Sequence, residues 1–234
     1  MKHTSPGAAR AVCICAALAL LVPTSCSPRR VRPSSAKVTG PTFELDLVPG
    51  PHYADSFNVL FLRIPHYPQV ACWIETTDGA YLGTIYVTRK TARMRWFGAP
   101  KAGRPEALPV WAHARTQASL GPDAVSGATS AGTVRVESPA GEGLAAGTYV
   151  VKLEVNSSFD YNERYTRANS GVNGQPSIIY SGRIDVGKGE TEADLAPIGT
   201  GSVDGSNGNI TPGLAGITTA AQILQSARVI YHDR

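Results

Sequence analysis

The sequence predicts an all-β protein, an antiparallel β-sandwich with long loops. Three observations lead there. Apolar residues alternate with polar ones at period two in one short segment after another. Those segments are punctuated by turn residues drawn from 24 Gly and 17 Pro. No stretch keeps amphipathic helical spacing over three turns; Thr218 to Gln225 is the best helical candidate, and it is short.

The first 25 residues read as an export signal. Lys2 and Arg10 supply a positive start, and Ala11 to Val22 is an apolar run too short to span a bilayer. Thr24 and Ser25 then lead to Cys26, which is positioned for lipidation by a lipoprotein pathway, although Pro23 stands where a branched apolar residue is usual. Ordinary cleavage close to Cys26 is the alternative. Residues 26–41, rich in Pro, Ser and Arg, form a tether, with Arg29, Arg30 and Arg32 suited to a membrane surface. The chain is thus expected to be extracytoplasmic, either periplasmic or held to the membrane by a lipid anchor. Loss of Lys2 and Arg10 lowers the formal charge from +4 to +2, which leaves no basic stripe for nucleic acid.

Residues 42–234 then make a single sandwich domain. Its first strand, Thr42 to Val48, sets Phe43, Leu45 and Leu47 on one face against Glu44 and Asp46 on the other. Further strands are expected at Asn58–Ile64, Val70–Glu75, Tyr81–Val87, Thr91–Phe97, Thr133–Glu137, Thr148–Asn156, Ile178–Val186 and Ala227–His232. Thr77-Asp78-Gly79 is the clearest hairpin signal. Within Gly147–Asn156, Tyr149, Val151, Leu153 and Val155 alternate with Val150, Lys152 and Glu154 on the opposite face. Two long irregular regions interrupt the strands. Gly98–Gly132 reads as a functional loop, and Ala196–Gly216, poor in large apolar residues, as a mobile one. With Cys13 and Cys15 leaving with the signal and Cys26 either lipidated or removed, Cys72 stands alone in a strand; it reads as a small core residue.

The functional loop contains Asp123-Ala124-Val125-Ser126-Gly127-Ala128-Thr129, which has the spelling D-x-x-[ST]-G-A-T. Chance alone produces that spelling in a chain of this length about one time in a thousand. Each residue type has a chemical rationale. An exposed Thr129 hydroxyl can attack phosphorus, Gly127 and Ala128 leave a clear approach, and Asp123 and Ser126 can bond the turn. The segment resembles the flavin-attachment site of the flavin-carrying subunits of sodium-pumping quinone reductase and related membrane redox complexes. That resemblance implies covalent FMN on Thr129, attached by an exported flavin transferase, with membrane redox proteins as partners. It covers about ten residues, and the rest of the chain does not resemble the usual FMN-binding domain. A purely structural reading makes the segment a Ser-Gly turn leading into Thr133–Glu137.

A broader resemblance rests on Trp73-Ile74-Glu75 with Asp78-Gly79 and Tyr81, on Gly147-Thr148-Tyr149 followed by Lys152 to Asn156, and on Asp160-Tyr161-Asn162 and Asn173 to Tyr180. These segments resemble a family of bacterial periplasmic proteins of unknown function, whose domain is similar to the immunoglobulin-like module of the flagellar hook-capping protein. The resemblance spans roughly residues 42–190 and implies an immunoglobulin-like topology.

Other chemistries find little support. Asp160, Asn162 and Glu163 offer oxygen atoms without the twelve-residue calcium-loop pattern. Gly199-Thr200-Gly201 lacks the strand-turn-helix setting of a nucleotide fingerprint. The five histidines form no H-x-x-x-H pair, and there is no G-x-S-x-G elbow. Trp96, Trp111 and Tyr161 are either core residues or stacking partners for a flavin ring. Two functions therefore stand: a non-enzymatic carrier with FMN on Thr129, or a cofactor-free structural or binding module of the cell envelope.

Overall fold

The computed structural model describes residues 40–59, 61–93, 103–117, 125–127, 134–141 and 143–233. Residues 1–25, expected to be an export signal, and Cys26, Trp96, Asp123, Ala128 and Thr129 lie outside the described residues.

In chain order the strands are β1 (Thr42–Pro49), β2 (Asp55–Val59), β3 (Leu62–His66), β4 (Gln69–Glu75), β5 (Tyr81–Thr88), β6 (Val125–Gly127), β7 (Val134–Ser138), β8 (Gly147–Asn156), β9 (Ile178–Val186), β10 (Thr191–Asp194), β11 (Ala196–Thr200), β12 (Thr211–Pro212) and β13 (Leu224–His232). Among them lie the helical segments α1 (Arg89–Ala92), α2 (Pro109–Gln117) and α3 (Arg167–Ser170).

Two sheets face each other. One has the order β10-β13-β1-β7, and the larger runs β12-β11-β9-β8-β4-β5-β6. Their ladders are antiparallel except where β6 joins β5 in parallel. Alternation builds the core between them: Phe43, Leu45 and Leu47 of β1 meet Cys72 and Ile74 of β4, Val151, Leu153 and Val155 of β8, and Val229 and Tyr231 of β13. The expected all-β sandwich is what forms. Asp78 and Gly79 sit in the β4–β5 turn, where Gly79 takes φ +93°, a value that side chains resist. Cys72 is buried in the core, and burial pushes its thiol well above the usual range.

A third layer was not legible as such. Leu108, Val110 and Trp111, at the start of α2, pack on Ala71, Trp73, Val87 and Ile179 across the outer face of the larger sheet. This explains why all seven residues of β4 are buried: both of its faces are covered. Burying side chains of this size stabilises by about 1.5–3 kcal/mol each.

Several expectations need correction. Asn58–Ile64 is not one strand: Val59 pairs with Leu62, so the chain reverses there into a separate two-stranded hairpin, with Phe61 of its turn fully exposed. The continuous apolar run carries no Gly or Pro to mark the reversal. Thr91–Phe97 begins as the helical turn α1, because the hydroxyls of Thr88 and Thr91 both reach Gln69 Oε1, at 3.0 and 2.8 Å, and curl the chain away from the sheet; residues 94–97 are outside the described set. Gly98–Gly132 is not wholly irregular, since it holds a 3-10 turn at Pro105–Ala107, α2 and β6. Ala196–Gly216 is tied down, its first residues pairing with β9 and Thr211–Pro212 pairing back on β11. Thr218–Gln225 yields only a 3-10 turn, Thr219–Gln222, before β13 begins at Leu224.

Candidate functional site

The flavin-type motif meets the fold at one edge of the larger sheet. Val125, Ser126 and Gly127 form β6 in register with Tyr86, Val87 and Thr88, and β6 is the last strand in the sheet order. Gly127 thus lies beside Thr88, the residue that immediately precedes α1. That turn packs against β6. Its Thr91 is buried, whereas Arg89 and Lys90 are exposed, as is Arg93, which caps it. None of these three cations has an acidic partner among the described residues. Of the expected attachment residues, Ser126 and Gly127 therefore belong to the last strand of the larger sheet, beside a cationic turn. Asp123, Ala128 and Thr129, like Cys26, fall outside the described residues.

Trp111 is buried against the sheet and its indole N–H donates to Thr84 Oγ1 at 3.0 Å, so it packs the core and presents no stacking face. Tyr161 donates its hydroxyl to the Gly171 carbonyl at 2.7 Å. Asp160 and Asn162, weighed as calcium ligands, spend oxygens internally: Asp160 accepts from Thr219, and Asn162 Oδ1 accepts the amides of Arg164 and Tyr165. Gly174 (φ +76°) pairs with Asp160, and a Cβ there would collide with the Asp160 backbone, so the Asn-Gly turn requires glycine.

The outer face of β8 holds polar chemistry that period-two reading assigned only to "the opposite face". Lys152 Nζ pairs with Glu75 Oε2 at 2.7 Å, while Glu75 Oε1 accepts the Trp73 indole N–H at 2.7 Å. His113 Nδ1 donates to the Pro109 carbonyl at 2.9 Å, which leaves Nε2 as the acceptor of the ring. Glu75, Lys152 and His113 line a cleft of about 240 Å³ with Gly208 and Asn209. Among the described residues no hydroxyl or thiol lines it.

Two residues further along β8, Glu154 is fully buried. Its Oε2 accepts the Trp111 amide at 2.8 Å, and its Oε1 accepts the Val110 amide at 3.2 Å and the Ser177 hydroxyl at 2.6 Å. Burial pushes its carboxyl up to about 7 against those three donated bonds. The carboxylate is the N-terminal cap of α2, whose own preceding residue, Leu108, has no side-chain oxygen to serve.

A larger cavity, about 590 Å³, opens beside β13 of the smaller sheet between Tyr180, Leu195, Leu214, Leu224 and Arg228. At its rim Arg228 Nε donates to Asp194 Oδ1 at 2.9 Å.

Among the described residues no three His, Cys, Asp or Glu side chains gather as a metal site, and no helix is long and apolar enough to cross a membrane. Comparison with protein-family models, curated proteins and solved structures finds no match to this chain.

Proposed function

We propose that this chain is an exported, lipid-anchored accessory protein of extracytoplasmic flavin-linked redox chemistry, carrying FMN on Thr129 and catalysing no reaction itself. The observation that carries the reading is the pairing of Val125–Gly127 with Tyr86–Thr88 at the end of the larger sheet. It holds the Ser126-Gly127 half of the motif on a rigid support. An edge strand also leaves one side of its backbone open to an enzyme that must read the segment.

Attachment needs only an oxygen nucleophile from this chain. The Thr129 hydroxyl oxygen bonds to the phosphorus of an activated flavin nucleotide, the nucleotide leaving group departs, and the hydroxyl proton passes to a base of the exported flavin transferase. The attached group supplies one- or two-electron carriage between membrane redox proteins, and the chain supplies position and charge. Arg89, Lys90 and Arg93, exposed and without an acidic partner among the described residues, suit the negative phosphodiester that results.

Coexpression with an exported flavin transferase tests this. The protein should turn yellow, gain the mass of FMN less water, and lose both with Thr129→Ala. An unmodified native chain after such coexpression would refute the reading.

The cofactor-free alternative, an envelope binding module, is favoured by one observation: the cavity of about 590 Å³ has the size of a small-molecule site. It predicts ligand binding that survives Thr129→Ala.

A further inference from the structure

We infer that the cavity of about 590 Å³ beside β13 binds a small organic amine with an apolar body. The site contains no residue of the flavin-type motif, so it stands whether or not Thr129 carries FMN, and it gives the binding-module reading a ligand class.

The cavity is a product of strand topology. β10 accompanies β13 from Thr191 to Asp194, opposite Tyr231 to Arg228. The Leu195 amide still donates to the Ala227 carbonyl at 2.9 Å, and then Ala196 pairs with Ser181 in the larger sheet. The chain thus crosses between the sheets at Leu195. From there the stretch Leu224 to Ser226 keeps β1 on one side and has no strand on the other among the described residues. Tyr180, Leu195 and Pro197 wall the space left there, and Leu214 and Ala221, from the segment that leads into β13, close it. The crossing is tight: a Cβ at Gly182 would come within 2.8 Å of the Asp194 carbonyl oxygen and 2.9 Å of the Leu195 side chain. The wall is therefore preformed, and the volume it encloses is that of a small-molecule site.

The polar groups of the wall specify the ligand. Tyr180 is only 6% exposed, and its hydroxyl has no hydrogen-bond partner among the described residues. The Tyr53 hydroxyl is also unpaired but is sealed in the core, whereas Tyr180 lines the cavity. Burial pushes the Tyr180 hydroxyl up to about 12, so it stays neutral and can donate or accept. It is the point at which the polar end of a bound molecule is satisfied.

Charge decides which polar end. Asp194, Arg228, Asp46 and Arg135 stand side by side across β10, β13, β1 and β7. Arg228 pairs with Asp194 at 2.9 Å and Glu192 at 3.3 Å, and Arg135 pairs with Glu44 at 2.6 Å and Asp46 at 3.6 Å, so two guanidinium groups face four carboxylates. An incoming anion meets no uncommitted cation in this row. Asp194, by contrast, gives only Oδ1 to Arg228 and keeps Oδ2 for another donor. The surplus of acid selects a protonated amine, and Leu195, Leu214 and Leu224 take its apolar body.

The test follows backbone amide resonances by NMR during titration with 2-phenylethylamine, 2-phenylethanol and 3-phenylpropanoate, which share an apolar body and differ in the polar end. The amine should shift the signals of Leu195, Leu214 and Leu224 to Arg228. The alcohol should bind about fivefold more weakly than the amine and the carboxylate about tenfold or more. Added salt should weaken the amine more than the alcohol. Tyr180→Phe, which keeps the ring and removes the hydroxyl, should weaken amine binding about threefold or more, and Leu214→Trp should fill the cavity and abolish it. Urea midpoints check that both variants remain folded, and Tyr180→Phe decides alone if Leu214→Trp does not. No localised shift from the amine, or undiminished binding by Tyr180→Phe, would overturn the site. Carboxylate binding as tight as that of the amine would overturn the ligand class while leaving the binding-module reading standing. The mass of the coexpressed protein judges the carrier reading separately.

Discussion

Glu154 and Trp111, 43 positions apart, are joined by a hydrogen bond of 2.8 Å from the Trp111 amide to the Glu154 carboxylate. This bond fastens the helical layer to the sheet. A helix whose flanking residue lacks a capping oxygen is completed by a carboxylate from a distant strand, and the positive end of its dipole faces that charge.

Stability should therefore depend on the protonation of Glu154. Its carboxyl moves from an ordinary 4.5 to about 7 on folding, because burial disfavours the charge. Below pH 4.5 both states hold the proton; as pH rises through this window the unfolded chain releases its proton first. Stability is highest at the acid end and falls by up to about 3 kcal/mol by pH 7. Asp160, also raised by burial, adds to the same trend. Urea midpoints measured across the window should show a shallower decline in Glu154→Gln, and identical slopes in the two proteins would contradict this assignment.

Removing Trp111 should unseat α2. The ring is fully buried among Trp73, Val87 and Ile179, and its N–H is bonded to Thr84. Trp111→Ala is expected to cost about 3–5 kcal/mol. Trp111→Phe keeps most of the filling but forfeits the hydrogen bond, so its loss should be smaller. Chemical denaturation ranks the two.

Asn173 locks three separated segments together. It is fully buried, its side-chain amide donates to the carbonyls of Glu106 and Val203, and its oxygen accepts from Arg104 at 3.1 Å. Asn173→Ala strands all three partners, each at a cost of about 1–3 kcal/mol if it stays dry. Hydrogen exchange should accelerate around Arg104–Ala107 and Val203 before it does in the central strands.

Cys72 should be silent to thiol reagents in the native protein. Its side chain is fully buried between the sheets and its thiol is pushed far from ionisation. Labelling by an aromatic disulfide reagent should become stoichiometric only in denaturant; rapid labelling without it would mean that the sandwich opens at β4.

Strands that alternate cleanly were legible from sequence because alternation is a local property. β9 was expected at Ile178–Val186 and found there, and β1, β4, β5, β7 and β8 differ from expectation by a residue or so at their ends. The hairpin β2–β3 escaped because Val59-Leu60-Phe61-Leu62 is apolar throughout and its reversal bears no turn residue. At the candidate site, the spelling from Asp123 to Thr129 could be read directly, but neither the parallel pairing of Val125–Gly127 nor the cationic turn beside it follows from that spelling. The pairing joins residues about forty positions apart.

The sequence alone determined that the chain is a β-sandwich, which residues face its main core, and that Cys72 belongs there. Those outcomes depend on side-chain period and size, and both are written into neighbouring residues. Tertiary structure decided that the larger sheet is covered on its second face, which turned Glu154 from an expected outward-facing carboxylate into a buried helix cap. It also decided that Gly127 stands beside Thr88 and thus near Arg89 and Lys90. A cap or a strand partner supplied from forty residues away leaves no local pattern, because chain folding alone brings the two groups within hydrogen-bonding range.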